Sequence, residues 1–198
     1  MARISGFFAV FFVFILISSA FGYEWQFDKD HSEIRFQVKH ILTTVSGSFG
    51  EFEGDVEFDP EMPEKGKFNF SVTVKSVDTE NGKRDNHLKS KDFFEVDKFP
   101  EMTFKSTSIS KKMNNMFQVA GVMTIKDVSK NMTIDLEFLD PVTHPFNKKK
   151  LAGFISKFDI RRLDFGVGNG KFLKMGVVGE IVNVVLEGEA FADRSISL

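Results

Sequence analysis

Residues 116–138 read MFQVAGVMTIKDVSKNMTIDLEF, and this stretch decides the fold class. Phe117, Val119, Gly121, Met123 and Ile125 fall at every second position. After a polar turn at 126–129, Met132, Ile134, Leu136 and Phe138 take up the same rhythm. A period of two sends alternate side chains to opposite faces, so each run is a half-buried strand with one apolar face. Two such runs joined by a short turn are neighbours in an antiparallel sheet.

The pattern extends in both directions. Upstream, Ile34, Phe36 and Val38 alternate with Arg35, Gln37 and Lys39. Phe52, Gly54, Val56 and Phe58 follow, then Phe68, Phe70, Val72 and Val74, then Met102, Phe104 and Ser106. Downstream come Ala152, Phe154, Ser156, Phe158 and Ile160, and finally Val182, Val184 and Leu186. Turn-forming residues separate the runs at Asp59-Pro60, 63–66, Asn114-Asn115 and 140–147. Eight or nine strands with short connections and no long helix make a closed barrel or a sandwich. Runs 67–77 and 116–126 would each extend roughly 36 Å at about 3.3 Å per residue, a length that suits the wall of an elongated barrel. Phe alternates on the inward faces with Gly54, Gly121, Ala152 and Ser156. That mixture fits a tunnel, and it equally fits a solid core in which the small residues mark bends.

Composition narrows the function. The 198 residues include 25 Phe, one Trp, one Tyr and no Cys, with 26 basic and 28 acidic side chains. The near balance of charge argues against a nucleic-acid binder. The missing cysteines exclude disulfides, thiolate zinc sites and a catalytic thiol. The first 22 residues read as an export signal: Arg3, an apolar run at 7–17, and small residues for cleavage after Ala20 or Gly22. The run is too short for a spanning helix, which needs about 20 apolar residues. The chain therefore divides into a signal peptide at 1–22 and one domain at 23–198, with a periplasmic or secreted location expected.

One segment breaks the strand rhythm. Residues 78–99 contain the turn Asn81-Gly82, a short helical turn at 84–89, and then Phe93, Phe94, Val96 and Phe99. Arg84 and His87 are three apart and share a face of that turn. They are either a head-group clamp or parts of a solvated turn that anchors a loop over the barrel end.

The sequence blocks together are similar to those of the YceI-like family, secreted bacterial proteins of lipocalin-like shape that bind polyisoprenoid and other amphiphilic lipids. The blocks are DKDHSEIRFQVKH at 28–40, GSFGEFEGDVEFDP at 47–60, RDNHLKSKDFF with KFPEMTFKS between 84 and 106, GVMTIKDVSKNMT at 121–133, and FISKFDIRRLDFGVG at 154–168. Asp127 stands where the family commonly has Gly, and the 161–179 loop carries the additional apolar residues Phe172, Leu173 and Met175. The resemblance implies an all-β fold, an eight-stranded antiparallel lipocalin-like β-barrel with a short helical insertion near residues 83–90. It also implies a long-chain amphiphile (polyisoprenoid, isoprenoid quinone or fatty-acid derivative) held in a hydrophobic tunnel. No catalytic residue comes with it.

If such a chain is bound, its apolar tail needs a continuous apolar lining. The inward positions chosen for that role are Phe36, Val38, Phe52, Val56, Phe70, Val72, Phe104, Val119, Ile134, Phe154 and Phe158, each of which is also a plausible core residue. A one-residue slip of register would reverse the choice. Arg84, His87 and Arg161 are the candidates for the polar head. The four His residues show no ligand spacing, so no metal or cofactor is expected. Gly166 to Gly170 lacks a following Lys-Ser/Thr and reads as a flexible loop that opens no helix. Asp28, Asp30 and His31 read as a capped turn at a strand start. Lys148, Lys149 and Lys150 could touch anionic head groups. Expected partners are the lipid, a transient membrane contact and a second copy in a homodimer, with no nucleic acid. The alternative reading is a barrel that serves protein partners or a stress response without a fixed lipid. An enzyme is not expected, because nothing supplies an activated nucleophile.

Overall fold

A computed structural model describes residues 21–197, so all but the last two residues of the expected export segment lie outside it. The alternating runs form ten strands of one antiparallel sheet: β1 (Phe21–His40), β2 (Thr43–Phe49), β3 (Phe52–Phe58), β4 (Lys67–Thr73), β5 (Val77–Asp78), β6 (Glu101–Met113), β7 (Met116–Ile125), β8 (Val128–Thr143), β9 (Lys150–Arg161) and β10 (Val178–Ser197). β1 pairs with β10, which closes the sheet on itself. Eight strands make the ring, in the order β1, β3, β4, β6, β7, β8, β9, β10, while β2 and β5 extend two of its walls. Closure leaves the ring without an open edge.

The upper half of β1 pairs with β2, from Ile34 opposite Phe49 to His40 opposite Thr43. Its lower half pairs with β3, at Tyr23 to Trp25. One long strand thus spans two shorter ones that are separated by Gly50 and Glu51. The run at 67–77, expected as a single strand, is broken in the same way by a 3-10 turn at Val74–Ser76. The break lets β5 follow β2 away from β6. Helix α1 (Gly82–Lys89) and the turns at 91–97 lie between β5 and β6 in the chain. α1 starts where the Asn81 side chain accepts a hydrogen bond from the Arg84 N–H.

The register of the inward faces is as the period-two pattern requires. All eleven positions chosen for the lining are buried or half-buried. Asp28, Asp30 and His31 do not open a strand; they form a bulge inside β1, where its register against β10 shifts between Phe27 and Ser32. The loop at 166–170 also differs from expectation. Gly170–Lys174 is a short helix, α2, whose first turn is capped by the Asn169 side chain on the Lys171 N–H.

The core resolves the choice between tunnel and solid interior by doing both. At one end of the ring Trp25, Phe58, Phe117, Phe138 and Phe154 are all almost fully buried. Phe138 packs edge-on against Trp25, Phe58 and Phe154 at ring-centroid distances of 5.7, 5.3 and 5.1 Å. The Trp25 indole N–H, the polar atom of this plug, donates to the Phe58 carbonyl at 3.0 Å. The small residues do not hollow out this end. A Cβ on Gly54 would stand 2.8 Å from the Phe70 ring, its partner across the β3–β4 ladder, so glycine here receives a ring. Towards the other end Val38, Ile160, Val182 and Val184 stand among the remaining rings, and the interior opens.

Candidate functional site

The open part of the barrel is a cavity of ≈ 190 Å³. Nine of the eleven positions read from the sequence line it: Phe36, Val38, Phe70, Val72, Phe104, Val119, Ile134, Phe154 and Phe158. Phe52 and Val56 do not. Val56 is packed into the main core, and Phe52 belongs to a second cluster with Ile34, Phe49, Val72, Val74 and Val77. Both point inward, as read; they lie where neighbouring side chains already fill the space.

The wall is apolar apart from Thr103, Ser156 and Arg162. Ser156 is spoken for, since its hydroxyl donates to the Asp135 carbonyl at 2.7 Å. The outer face of β1 is charged, with Arg35 paired to Glu33 and Glu187. An apolar inside with a charged outside is the reverse of a bilayer-spanning barrel, whose lipid face is apolar.

Two chain segments cap the cavity. One brings Leu88, Phe93 and Phe94 from the α1 region; the other brings Val167 from the β9–β10 connection. They meet where the rings of Phe93 and Phe172 stack at 5.8 Å with planes 17° apart, and the His87 ring stands edge-on to both. Lys126, in the β7–β8 turn, ties them further. Its ammonium donates to the Phe93 carbonyl at 3.0 Å and to the Gly166 carbonyl at 3.2 Å.

The three residues read as head-group candidates are not brought together, and none lines the cavity. Arg84 is turned into its own loop, donating to the Thr79 hydroxyl at 2.7 Å and the Thr79 carbonyl at 2.6 Å. The same hydroxyl donates to the buried Asp85 carboxylate at 2.5 Å, which also accepts from the Thr79 N–H. His87 faces solvent and Asp92. Arg161 is exposed and paired with Glu180 and Asp164.

The residue that sequence reading missed is the next one. Arg162 is only 4% exposed and reaches the cavity wall. Its guanidinium donates to the carbonyls of Gly179 at 2.7 Å, Val167 at 2.8 Å and Val178 at 3.2 Å. Burial pushes its pKa down, with the Glu180 carboxylate opposing. Carbonyl dipoles therefore take the place of a paired carboxylate, and the side chain fastens both ends of the β9–β10 connection. The signal was present in the Arg-x-Asp-Phe-Gly block, which begins at Arg162 and not at Arg161.

The family model of the YceI-like domain matches residues 25–190, the span that holds the ring, the plug and both caps. The chain is a YceI-like protein. It is 35% identical over 172 residues to a UPF0312 protein of Staphylococcus aureus (strain MSSA476), covering 86% of this chain and 96% of the relative. Among solved structures, the Campylobacter jejuni YCEI protein is 31% identical with a TM-score of 0.69, over 79% of this chain and 90% of that one. Burkholderia cenocepacia BcnA superposes with a TM-score of 0.76 at 23% identity, over 82% and 98% of the two chains. A polyisoprenoid binding domain from Saccharophagus degradans, implicated in plant cell wall breakdown, shares the fold with a TM-score of 0.64 at 12% identity, over 86% and 99%. This YceI-like barrel thus joins an apolar, capped chamber to the wall pattern of its family.

Proposed function

We propose that the protein binds the apolar chain of a polyisoprenoid or other long-chain amphiphile in the barrel and carries or sequesters it. The observation that carries this reading is the cavity itself: a space inside the barrel whose wall is almost wholly apolar, behind an outer face of β1 that is charged. The polyisoprenoid-binding domain of the same fold lends it support, as does membership of the family. The export-signal layout of residues 1–22 supports work in the periplasm or outside the cell.

Energetics favour exchange with a membrane over capture from water. Each CH₂ moved out of water contributes about 0.8 kcal/mol, so a polyprenyl tail taken from water would pass the ceiling of roughly −18 to −21 kcal/mol on real affinities. A tail already in a bilayer gains little by moving, and shape then sets selectivity. The present ≈ 190 Å³ is below the roughly 300–1,000 Å³ usual for ligand pockets. A long chain enters by displacing the half-buried Phe36, Phe94 and Met102 at the capped end.

Native mass spectrometry of the purified protein with extraction of bound lipid tests the proposal. A stoichiometric long-chain lipid is the expected result. An empty barrel that also refuses added quinone and fatty acid overturns it.

A further inference from the structure

Two loop tips at the capped end expose apolar side chains to water. In the β1–β2 turn Ile41 is 53% and Leu42 92% exposed, and beside α2 Met175 is 61% exposed. The tips are neighbours, because the Ile41 N–H donates to the Val177 carbonyl at 3.0 Å. Residues 39–44 and 169–178, which build them, contain Lys39, Lys171 and Lys174 and no Asp or Glu. All three lysines are exposed. Directly behind the tips stand Val38 and Val178, which line the cavity.

Scattered exposed apolar residues need no explanation. Here they are adjacent and continuous with the cavity wall, and the two segments that carry them have only lysine charges, the nearest carboxylates, Glu180 and Asp92, being paired with Arg161 and His87. A symmetric second copy would bring like-charged rims together, whereas an anionic bilayer meets both features at once. We infer that the capped end is a membrane-docking surface: Leu42 and Met175 enter the interface of an anionic bilayer, and the three lysines contact its head groups. Docking sets the cavity against the lipid that it exchanges, so the inference rests on the lipid-binding reading and adds the face that does the exchanging.

A rival surface lies at the plugged end, where Phe146 is 89% exposed beside Lys148, Lys149 and Lys150. It leads only to the packed rings. The comparison of the two ends makes the test.

The chain has no cysteine, so Leu42→Cys, Met175→Cys and Phe146→Cys each accept a single environment-sensitive thiol dye. All three sites are exposed, and the fold tolerates the change. Vesicles of mixed phosphatidylglycerol and phosphatidylcholine should shift the emission of dyes at positions 42 and 175 to the blue and leave position 146 unmoved. Removing each lysine by Lys→Gln should weaken vesicle binding about fivefold, and pure phosphatidylcholine should bind poorly. A shift at position 146 alone, no shift anywhere, or a shift that needs only more protein overturns the inference; the last would assign the face to a second copy. Lipid content by native mass spectrometry is read on the same samples. Protein that holds lipid but shows no shift loses the docking surface alone, and protein that shifts but never holds lipid loses the lipid-binding reading.

Discussion

Phe36 faces Val184 across the β1–β10 seam, and two residues further on Val38 faces Val182. At the plugged end the same seam places Trp25 beside Ala192, with Phe154 and Phe138 against the indole. Along its length this wall thus changes from aromatic rings packed on one another to valines beside a single Phe, and Phe36, Val38, Val182 and Val184 all line the cavity. Val184→Phe, or Val182→Phe, puts a ring back into the hollow. Filling existing space avoids the strain of overpacking a tight core. The expected result is a fold of unchanged or higher melting temperature with lipid occupancy down roughly tenfold or more, read by thermal melting and native mass spectrometry.

The plug gives the opposite pattern. Phe138→Ala removes a ring that touches three others and leaves a void, which costs about 3–5 kcal/mol. Lipid occupancy should persist in the molecules that remain folded, because Phe138 does not line the cavity. Denaturant unfolding measures the loss. Full stability together with loss of lipid would show that the two ends are not separate.

The walls were legible because a period of two survives any detail of packing: every inward position chosen from the sequence is inward in the barrel. Cavity against core was not legible. Phe52 and Phe70 have the same residue type and the same periodicity, and only the neighbours around each ring decide that one fills the second core cluster and the other lines the hollow. The head-group candidates lie away from the cavity wall for a related reason. Arg161 and Arg162 are adjacent and chemically equal, but the 3-10 turn at Arg162–Phe165 begins between them and turns the second inward. Where the chain leaves the strand, alternation no longer says which way a side chain points. α2 escaped notice because its five residues are too few for a helical period, and its cap, Asn169, sits in a glycine-rich run that reads as loop.

That one-residue difference is measurable. Arg162→Met leaves three carbonyls without their charged donor and should cost about 3 kcal/mol. Amide exchange should quicken through residues 163–179. Arg161→Met breaks exposed ion pairs with Glu180 and Asp164, worth at most about 1 kcal/mol, and should leave exchange unchanged. Equal effects from the two would contradict the assignment of Arg162 as the fastener of this connection.

The bulge in β1 offers a titration. The Asp28 carboxylate and the His31 ring are 2.9 Å apart, which raises the His31 pKa above its usual 6.5 and lowers that of Asp28 below its usual 3.8. The His31 contribution is complete below the unfolded imidazole value and is lost as pH rises through the folded one. The Asp28 contribution is complete above the unfolded carboxylate value and is lost as pH falls through the folded one. The pair is therefore intact from below pH 3.8 to above pH 6.5. In an NMR titration His31 should protonate above its usual value, and Asp28→Asn should bring it back. The His31 ring is exposed and the pair is screened by solvent, so the accompanying change in melting temperature should be small.

Lys126 sits where a single side chain holds two cap segments. Its ammonium bridges the Phe93 and Gly166 carbonyls, and Phe93 stacks on Phe172 across the same boundary. Neither Lys126 nor Phe172 lines the cavity, so they govern access more than fit. Lys126→Met removes two charge-assisted hydrogen bonds, and Phe172→Ala removes the stacked ring. Each should speed exchange of a fluorescent long-chain lipid between protein and vesicles several-fold while changing equilibrium occupancy less, and the double variant should exceed either alone. A cap that has to part for the lipid to pass predicts that loosening it raises the loading and release rates together. If stopped-flow transfer is unchanged in both single variants, the lipid passes by another route and the two segments are only part of the wall.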